Sequence, residues 1–147
     1  MEERHVEDIA ELERLCFSEP WSRESLKLLC GEDFPSVVLE LCGSAVGYIG
    51  SQKVLDELQI TNVAVHPDHR GKGLGSALLE EFLAMAERLS IATVSLEVRV
   101  SNTAALSLYE KFGFLRVGTR RGFYKNPRED AIIMVKELKN QDQTRKI

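Results

Sequence analysis

The chain has 147 residues, of which 44% are hydrophobic, and both values are typical of one soluble domain with a proper core. There are 19 Lys and Arg residues against 23 Asp and Glu residues, a formal net charge of −4, which does not favour nucleic-acid binding. No apolar run approaches the roughly 18 residues of a membrane-spanning helix, and the acidic N-terminus does not resemble a signal peptide. We therefore predict a cytoplasmic protein that binds neither nucleic acid nor a membrane.

The cysteines and histidines are not spaced like metal ligands or a disulfide framework. The cysteines are odd in number, widely separated and without a CxxC pair, which favours buried, reduced thiols. The histidines form no HxxxH or HExxH pattern, so we predict no metal site. The residues concerned are Cys16, Cys30, Cys42, His5, His66 and His69.

Hydrophobic periodicity divides the chain into helices and strands without an internal repeat or linker. Turn and cap residues bound these elements: Ser22 can cap the second helix, Gly43 turns a hairpin and Gly113 ends the last helix. We predict one domain over residues 1–140 and a flexible tail over 141–147. The predicted elements are helix 6–16, helix 23–30, strands 36–41 and 45–54, a strand before Pro67, a helix from about 74 to 89, strand 92–100, helix 103–112, and strands 114–121 and 130–138 joined by loop 122–129.

The strand before Pro67 contains a phase slip. Leu58 and Ile60 alternate, and Val63 and Val65 then alternate in the opposite phase. One extra residue in a strand produces this pattern, so we predict a β-bulge between Ile60 and Val63.

The segment RGKGLGS, residues 70–76, opens directly into a predicted helix. Glycine allows the backbone to approach a ligand because it has no Cβ, and a helix N-terminus offers free N–H groups to an anion. Arg70 and Lys72 add positive charge. The segment predicts a site for an anionic, phosphorylated ligand, and the alternative is a tight turn without a ligand.

Two common phosphate-binding motifs do not match this loop. A P-loop requires Ser or Thr after Gly-Lys, but Gly73 follows Lys72. A Rossmann fingerprint requires a third glycine where this chain has Ser76 or Leu78, and it opens its fold, whereas half of this chain precedes the loop.

The segment RGKGLG resembles the R/Q-x-x-G-x-G/A signature of the GNAT superfamily of N-acetyltransferases. The segments FSEPWS, ITNVAVHPDHRGKGLGSALL, LEVRVSNTAALSLYEKFGF and REDAIIM are similar to the bacterial ribosomal-protein-alanine N-acetyltransferases (RimI-type). The resemblance implies an α/β (α+β) single-domain GNAT fold. It would have a mixed central sheet of about six to seven strands, about four flanking helices and a V-shaped gap between two central parallel strands.

The same resemblance implies that acetyl-CoA is the acetyl donor and lies in that gap. The pantetheine arm would pair with the strand backbone, an N–H near Val65 would polarise the thioester carbonyl, and the glycine loop would hold the pyrophosphate. Asn102 matches a cofactor-contacting position, although Ser101 or Asn102 can also cap the following helix, and the two roles of Asn102 are compatible. The implied cofactor-binding residues are Val63, Ala64, Val65, Gly71, Lys72, Gly73, Leu74, Gly75, Ser76 and Asn102.

Two residues match the family's catalytic positions. Glu97 matches a glutamate proposed as general base, and Tyr109 matches a tyrosine near the CoA sulfur that would protonate the leaving thiolate. Taken alone, Glu97 would be interpreted first as a solvated strand-face carboxylate, and Tyr109 is also consistent with core packing. The implied reaction is direct attack of an amine on the thioester, and none of the cysteines lies near the matched motifs in sequence.

The implied acceptor is the N-terminal alanine of a ribosomal protein, and its α-amine would belong to a basic peptide. The family's usual pair of adjacent tyrosines is Phe123-Tyr124 here, which leaves open other N-termini, lysine side chains and small amines. A non-catalytic acyl-CoA-binding module is a further alternative. We expect a monomer or weak homodimer. Acidic residues that would attract a basic peptide, or would merely be solvated, are Glu2, Glu3, Glu7, Asp8, Glu11 and Glu57.

Overall fold

The structure is a computed structural model that describes residues 1–138. The predicted flexible tail at 141–147 lies outside these residues. Within them, four α-helices and six β-strands follow the predicted order. Their bounds are α1 Val6–Cys16, α2 Arg23–Leu28, β1 Ser36–Leu41, β2 Ser44–Val54, β3 Glu57–Val65, α3 Leu74–Arg88, β4 Thr93–Arg99, α4 Thr103–Lys111, β5 Leu115–Tyr124 and β6 Glu129–Glu137.

Two element boundaries differ from the sequence prediction by more than one residue. Helix α2 ends at Leu28 instead of residue 30. Strand β5 continues through Phe123 and Tyr124, where Tyr124 pairs with Glu129, so the predicted loop 122–129 shortens to a turn of four residues. Aromatic side chains favour strands, and pairing with β6 extends β5 beyond Gly122, where the predicted loop began.

The six strands form one mixed sheet in the order β1-β2-β3-β4-β6-β5. Strands β3 and β4 are parallel, and the other four neighbouring pairs are antiparallel. Cys42 and Gly43 both have positive φ, 52° and 82°, which is the backbone of a tight two-residue hairpin turn between β1 and β2. The predicted mixed sheet and helix number are confirmed.

Helices cover both faces of the sheet, and each face has its own apolar cluster. On one face Phe82 of α3 and Leu106 of α4 pack with Leu96 of β4. On the other face Ile9 of α1 and Leu26 of α2 pack over the β1–β3 half of the sheet. The β4–β6–β5 half of this second face is therefore left as the floor of an open cleft.

The predicted bulge in β3 is confirmed. Gly50 of β2 pairs with Asn62 while the next residue, Ser51, pairs with Ile60, which leaves Thr61 as the extra residue. As a result Ile60 and Val63 both pack toward α3 and α4, whereas Asn62 points to the opposite face.

The predicted gap between the central parallel strands is also present. Strands β3 and β4 pair only from Glu57–Thr93 to Gln59–Ser95, and the two strands separate immediately afterwards. Strand β4 remains paired with β6 along its whole length, so the opening follows from the bulged strand β3. Within residues 1–138, no helix combines the length and hydrophobicity needed to cross a bilayer.

Candidate active site

Two cavities meet at the gap between β3 and β4. The first, of about 820 Å³, lies over the exposed half of the sheet and is called the strand cavity. The second, of about 550 Å³, lies against the glycine-rich loop and is called the loop cavity. They form one continuous cleft through the sheet, because both are lined by Cys16, Phe17, Val63, Asn102, Ala105 and Tyr109.

The glycine-rich loop presents bare backbone to the loop cavity. Gly71 and Gly73 have φ of 78° and 77°, and a Cβ built on either would meet no atom of the described residues within 4 Å. Helix α3 begins at Leu74, so the N–H groups of its first turn, including that of Ser76, have no acceptor within the helix. Open space, free N–H groups and the positive end of a 15-residue helix suit an anionic ligand.

The structure brings eight of the ten predicted cofactor-binding residues to this cavity. The backbone segment of β3 that has left β4 forms one wall, and the loop and α4 form the others. The side chains of Lys72 and Ser76 are the two that do not line it. The eight lining residues are Val63, Ala64, Val65, Gly71, Gly73, Leu74, Gly75 and Asn102.

Arg70 and Cys16 join the end of β3 to the glycine-rich loop, a contact that the sequence did not predict. The Arg70 Nε donates to the Val65 carbonyl at 3.1 Å, and Nη2 lies 3.3 Å from the Cys16 Sγ. Burial raises the pKa of the Cys16 thiol, and the neighbouring Arg70 partly opposes this shift. Cys16 lies inside the cleft, although it is far in sequence from the glycine-rich loop, Glu97 and Tyr109.

The three cysteines are free thiols, but the prediction that they are buried is wrong. Cys16 and Cys30 are partly exposed, and Cys42 is exposed. Cys42 occupies the turn between β1 and β2, where no second layer covers it, and Cys16 faces the cleft at the end of α1.

Glu97 extends from β4 into the strand cavity. It alternates with Leu96 and Val98, which are buried on the α3–α4 face, so its carboxylate lies on the opposite face. The side chain is 13% exposed, and Oε1 lies 3.5 Å from Arg120 Nε. A mostly enclosed carboxylate at the mouth of a cleft is suited to hold or remove a proton.

Tyr109 reaches the cleft from the other face of the sheet. Its ring packs edge-on against Phe114 at 5.7 Å, and the residue is only 6% exposed. Burial, with a smaller contribution from Tyr124, raises its pKa, so the hydroxyl stays protonated at neutral pH. Core packing is thus confirmed for Tyr109, and the same residue lines both cavities.

Asn102 caps helix α4 and lines both cavities. Its Oδ1 accepts a hydrogen bond of 3.1 Å from the Ala105 N–H, which is the geometry of an N-cap. Of the two predicted cap residues, Asn102 and not Ser101 therefore caps α4. The same residue is placed where a ligand in either cavity would meet it.

Tyr124 lines the strand cavity together with Glu97. Burial and the negative charge of Glu97 raise the pKa of Tyr124 to about 12. The Arg99 guanidinium carbon lies 4.4 Å from the centre of the Tyr124 ring. Sequence reasoning assigned no role to Arg99, but its position two residues after Glu97 on the same strand was a usable signal, since such residues share a face.

Glu13 forms a buried polar cluster beneath the strand cavity. The residue is 1% exposed, and its two oxygens accept hydrogen bonds from the Tyr48 hydroxyl at 2.8 Å and the Trp21 N–H at 2.9 Å. These bonds fix the segment that follows α1, and this segment forms one wall of the cavity. In the sequence, Glu13 is one of several acidic residues of helix α1, so no pattern indicated that it would be buried.

The carboxylates at the strand cavity are different from those that the sequence suggested. None of the six acidic residues proposed to attract a peptide lines either cavity, and several have local partners, such as Glu7 with Arg23. Four carboxylates and two cationic side chains line the strand cavity, and these ionisable residues are Glu13, Glu19, Glu97, Glu129, Arg99 and Lys125.

Comparisons with known proteins agree with this geometry. The family model described as Acetyltransferase (GNAT) family matches residues 6–114. The chain is 41% identical over 125 residues to the [Ribosomal protein bS18]-alanine N-acetyltransferase of Escherichia coli strain K12, covering 84% of each chain.

Two solved structures extend the comparison. The ribosomal-protein-S18-alanine N-acetyltransferase from Escherichia coli superposes with a TM-score of 0.88 at 36% identity, covering 97% of this chain and 94% of that one. The NatC complex bound to Gag peptide and CoA contains a chain that superposes with a TM-score of 0.79 at 26% identity, covering 92% and 91%.

Proposed function

The chain belongs to the GNAT acetyltransferase family, and we propose that it transfers the acetyl group of acetyl-CoA to the N-terminal α-amine of a ribosomal protein that begins with alanine. One observation of the structure carries the proposal: Glu97 and Tyr109 line the same cavity at the point where β3 and β4 separate. The identity of the acceptor is drawn from relatives named as alanine N-acetyltransferases of ribosomal protein bS18.

The residues of the loop cavity fit acetyl-CoA. The free N–H groups at Leu74, Gly75 and Ser76 and the open face of Gly71 and Gly73 suit the pyrophosphate. Among residues 1–138, the β3 backbone beyond Gln59 has no strand partner on the β4 side, so it can pair with the extended pantetheine arm of the cofactor. When bound, acetyl-CoA supplies the acetyl group as an activated thioester.

Glu97 would act as the general base toward the acceptor. An α-amine with a pKa of about 7.8 is neutral roughly one time in seven at pH 7, so it needs less activation than a lysine with a pKa of about 10.4. The Glu97 carboxylate would take the proton as the nitrogen forms its bond to carbon, directly or through a water molecule. Arg120 would be displaced from the carboxylate as the acceptor approaches, since it is more than half exposed.

Tyr109 would act as the general acid toward the leaving thiolate. Its raised pKa keeps the hydroxyl protonated, and the residue borders both cavities. A free thiol has a pKa of about 8.5, so protonation helps the leaving group without being obligatory.

The charge of the strand cavity supports a cationic acceptor. Four carboxylates and two cationic side chains line it, and Arg120 also pairs with Glu97. The remaining excess of carboxylates favours an ammonium group and a basic peptide over an acidic one.

Mass spectrometry of two peptides tests the proposal. One peptide begins Ala-Arg with a free α-amine, and its pair carries a blocked N-terminus and an internal lysine. We expect one added acetyl group on the free N-terminus and none on the blocked peptide. Acetylation of the blocked peptide alone would assign a lysine acceptor instead, and acetyl-CoA binding without turnover on any amine would indicate a binding module.

A further inference from the structure

We propose that Arg99 is a positioning residue for the acceptor: it fixes the turn between β5 and β6 so that Tyr124 and Asn126 form one wall of the strand cavity. The expected effect of Arg99 on catalysis rests on the proposed function. Its contacts with residues 125–129 do not depend on that function.

Arg99 binds the turn at three acceptors. Its Nη2 donates to the Lys125 carbonyl at 3.2 Å, and Nη1 donates to the Pro127 carbonyl at 3.0 Å and to Glu129 Oε1 at 3.2 Å. The side chain is 28% exposed, so water competes for these bonds only in part. A planar guanidinium can make several such bonds at once, whereas the single ammonium of a lysine cannot reproduce the fork.

The same guanidinium fixes the position of Tyr124. Its carbon lies 4.4 Å from the ring centre, within the range of a cation–π contact. Glu97 and Arg99 share one face of β4, so a ring held over Arg99 is also held beside Glu97. Glu97 and Tyr124 line the same cavity, and the Glu97 charge contributes to the raised pKa of Tyr124.

Glu129 connects Arg99 to the start of α4. Its Oε1 accepts from Arg99, and its Oε2 accepts from the Ser101 N–H at 2.7 Å. The hydrogen bonds from Ser101 and from Arg99 hold the pKa of Glu129 below its usual value, so the carboxylate stays ionised. The turn is thereby tied to the junction that precedes Asn102.

From the turn, Asn126 reaches across the cavity to the segment that follows α1. Its carbonyl accepts from the Ser18 hydroxyl at 2.8 Å, and its Nδ2 donates to Glu19 Oε1 at 2.8 Å. Both contacts are exposed and depend on where the turn lies. Arg99 therefore sets the position of two opposite walls, although its own side chain lies at the floor.

Arg99 is absent from the lining of the loop cavity, which separates its effect from cofactor binding. Its removal should weaken acceptor binding and leave the affinity for CoA unchanged. A general loss of structure would instead impair both.

The test compares Arg99→Met, Arg99→Lys and the matched control Arg88→Met, which alters an exposed arginine on α3. For Arg99→Met we expect the KM of an Ala-Arg peptide to rise at least about tenfold, since several hydrogen bonds to a charged group are lost. Arg99→Lys should recover part of this loss, and Arg88→Met should match the parent protein. Calorimetry should give the same CoA affinity for all four proteins.

Hydrogen–deuterium exchange provides a readout that does not depend on activity. In Arg99→Met, amides in residues 122–129 should exchange faster, while those of the first turn of α3 should not change. Unchanged exchange in the turn, an unchanged acceptor KM, or equal losses of peptide and CoA affinity would each overturn the proposal. If the parent protein acetylates no α-amine, the proposed function fails, and the exchange measurement still decides whether Arg99 holds the turn.

Discussion

Glu97 and Tyr109 approach the same cavity from opposite faces of the sheet. Glu97 lies on the face of β4 that α1 and α2 partly cover, and Tyr109 of α4 belongs to the apolar cluster between the helices α3 and α4 and the sheet. They share a cavity because β3 and β4 separate after three paired positions. The gap therefore lets a carboxylate and a tyrosine hydroxyl face one cleft from two sides, as the proposed roles of base and acid require.

Substitution of these two residues should have unequal effects on the chemical step. We expect Glu97→Gln to lower kcat by about 10² to 10⁴, the usual contribution of a general base. Tyr109→Phe should lower it less, because a thiolate leaves readily without a proton donor. Steady-state kinetics with an Ala-Arg peptide at saturating acetyl-CoA measures both, and parent-like rates in both variants would refute both roles.

The bare backbone of the glycine-rich loop should be needed for the cofactor. Gly73→Ala places a Cβ at a φ of 77° and in the open space of the loop cavity. The substitution should lower the stability of the protein by roughly 1–2 kcal/mol, because alanine is strained in the left-handed backbone conformation. It should also lower the affinity for CoA.

Gly43→Ala is the matched control for that prediction. Gly43 has a φ of 82°, and a Cβ there also meets nothing within 4 Å, but it lies in the turn between β1 and β2. Thermal melting should show similar losses for both variants, while calorimetry should show weaker CoA binding only for Gly73→Ala. Equal CoA affinity in the two variants would contradict the proposal that the glycine-rich loop holds the pyrophosphate.

The two roles of Asn102 can be separated by substitution. Asn102→Asp preserves an oxygen that accepts from the Ala105 N–H, so the helix cap and the melting temperature should be retained. The added negative charge should nevertheless weaken CoA binding if the residue faces the cofactor. Asn102→Ala should lose about 1 kcal/mol of stability as well. Unchanged CoA affinity in Asn102→Asp would show that Asn102 caps the helix and does not contact the cofactor.

Stability should fall steeply in alkali. Burial is the largest cause of the raised pKa of Tyr48, Tyr109 and Tyr124, for which the usual value is 10.0. Because the folded state binds these protons more tightly, the stabilisation is complete below the unfolded pKa and is lost as pH rises toward the folded value, about 12 for Tyr124.

Melting temperatures recorded between pH 8 and 11.5 check this expectation. The decline should begin near pH 10, and Tyr124→Phe should make it shallower, because one titrating group is removed. A flat profile across this range would contradict the burial of the tyrosines.

Local sequence determined much of this molecule. Hydrophobic spacing predicted the elements in order, the phase slip at Ile60 and Val63 predicted the bulge, and the glycines predicted a loop that opens into a helix. These features depend on residues close together in the chain, where side-chain period, caps and positive φ act directly.

The tertiary structure decided what depends on distant segments. Pairing of Tyr124 with Glu129 lengthened β5, the end of α1 brought Cys16 into the cleft, and Arg99 met the carbonyls of the turn at Lys125. Likewise, the packing of α1 and α2 over one half of the sheet decided which carboxylates line the strand cavity. The sequence spacing of these residues carries no such information, because their contacts arise only when strands and helices far apart in the chain pack together.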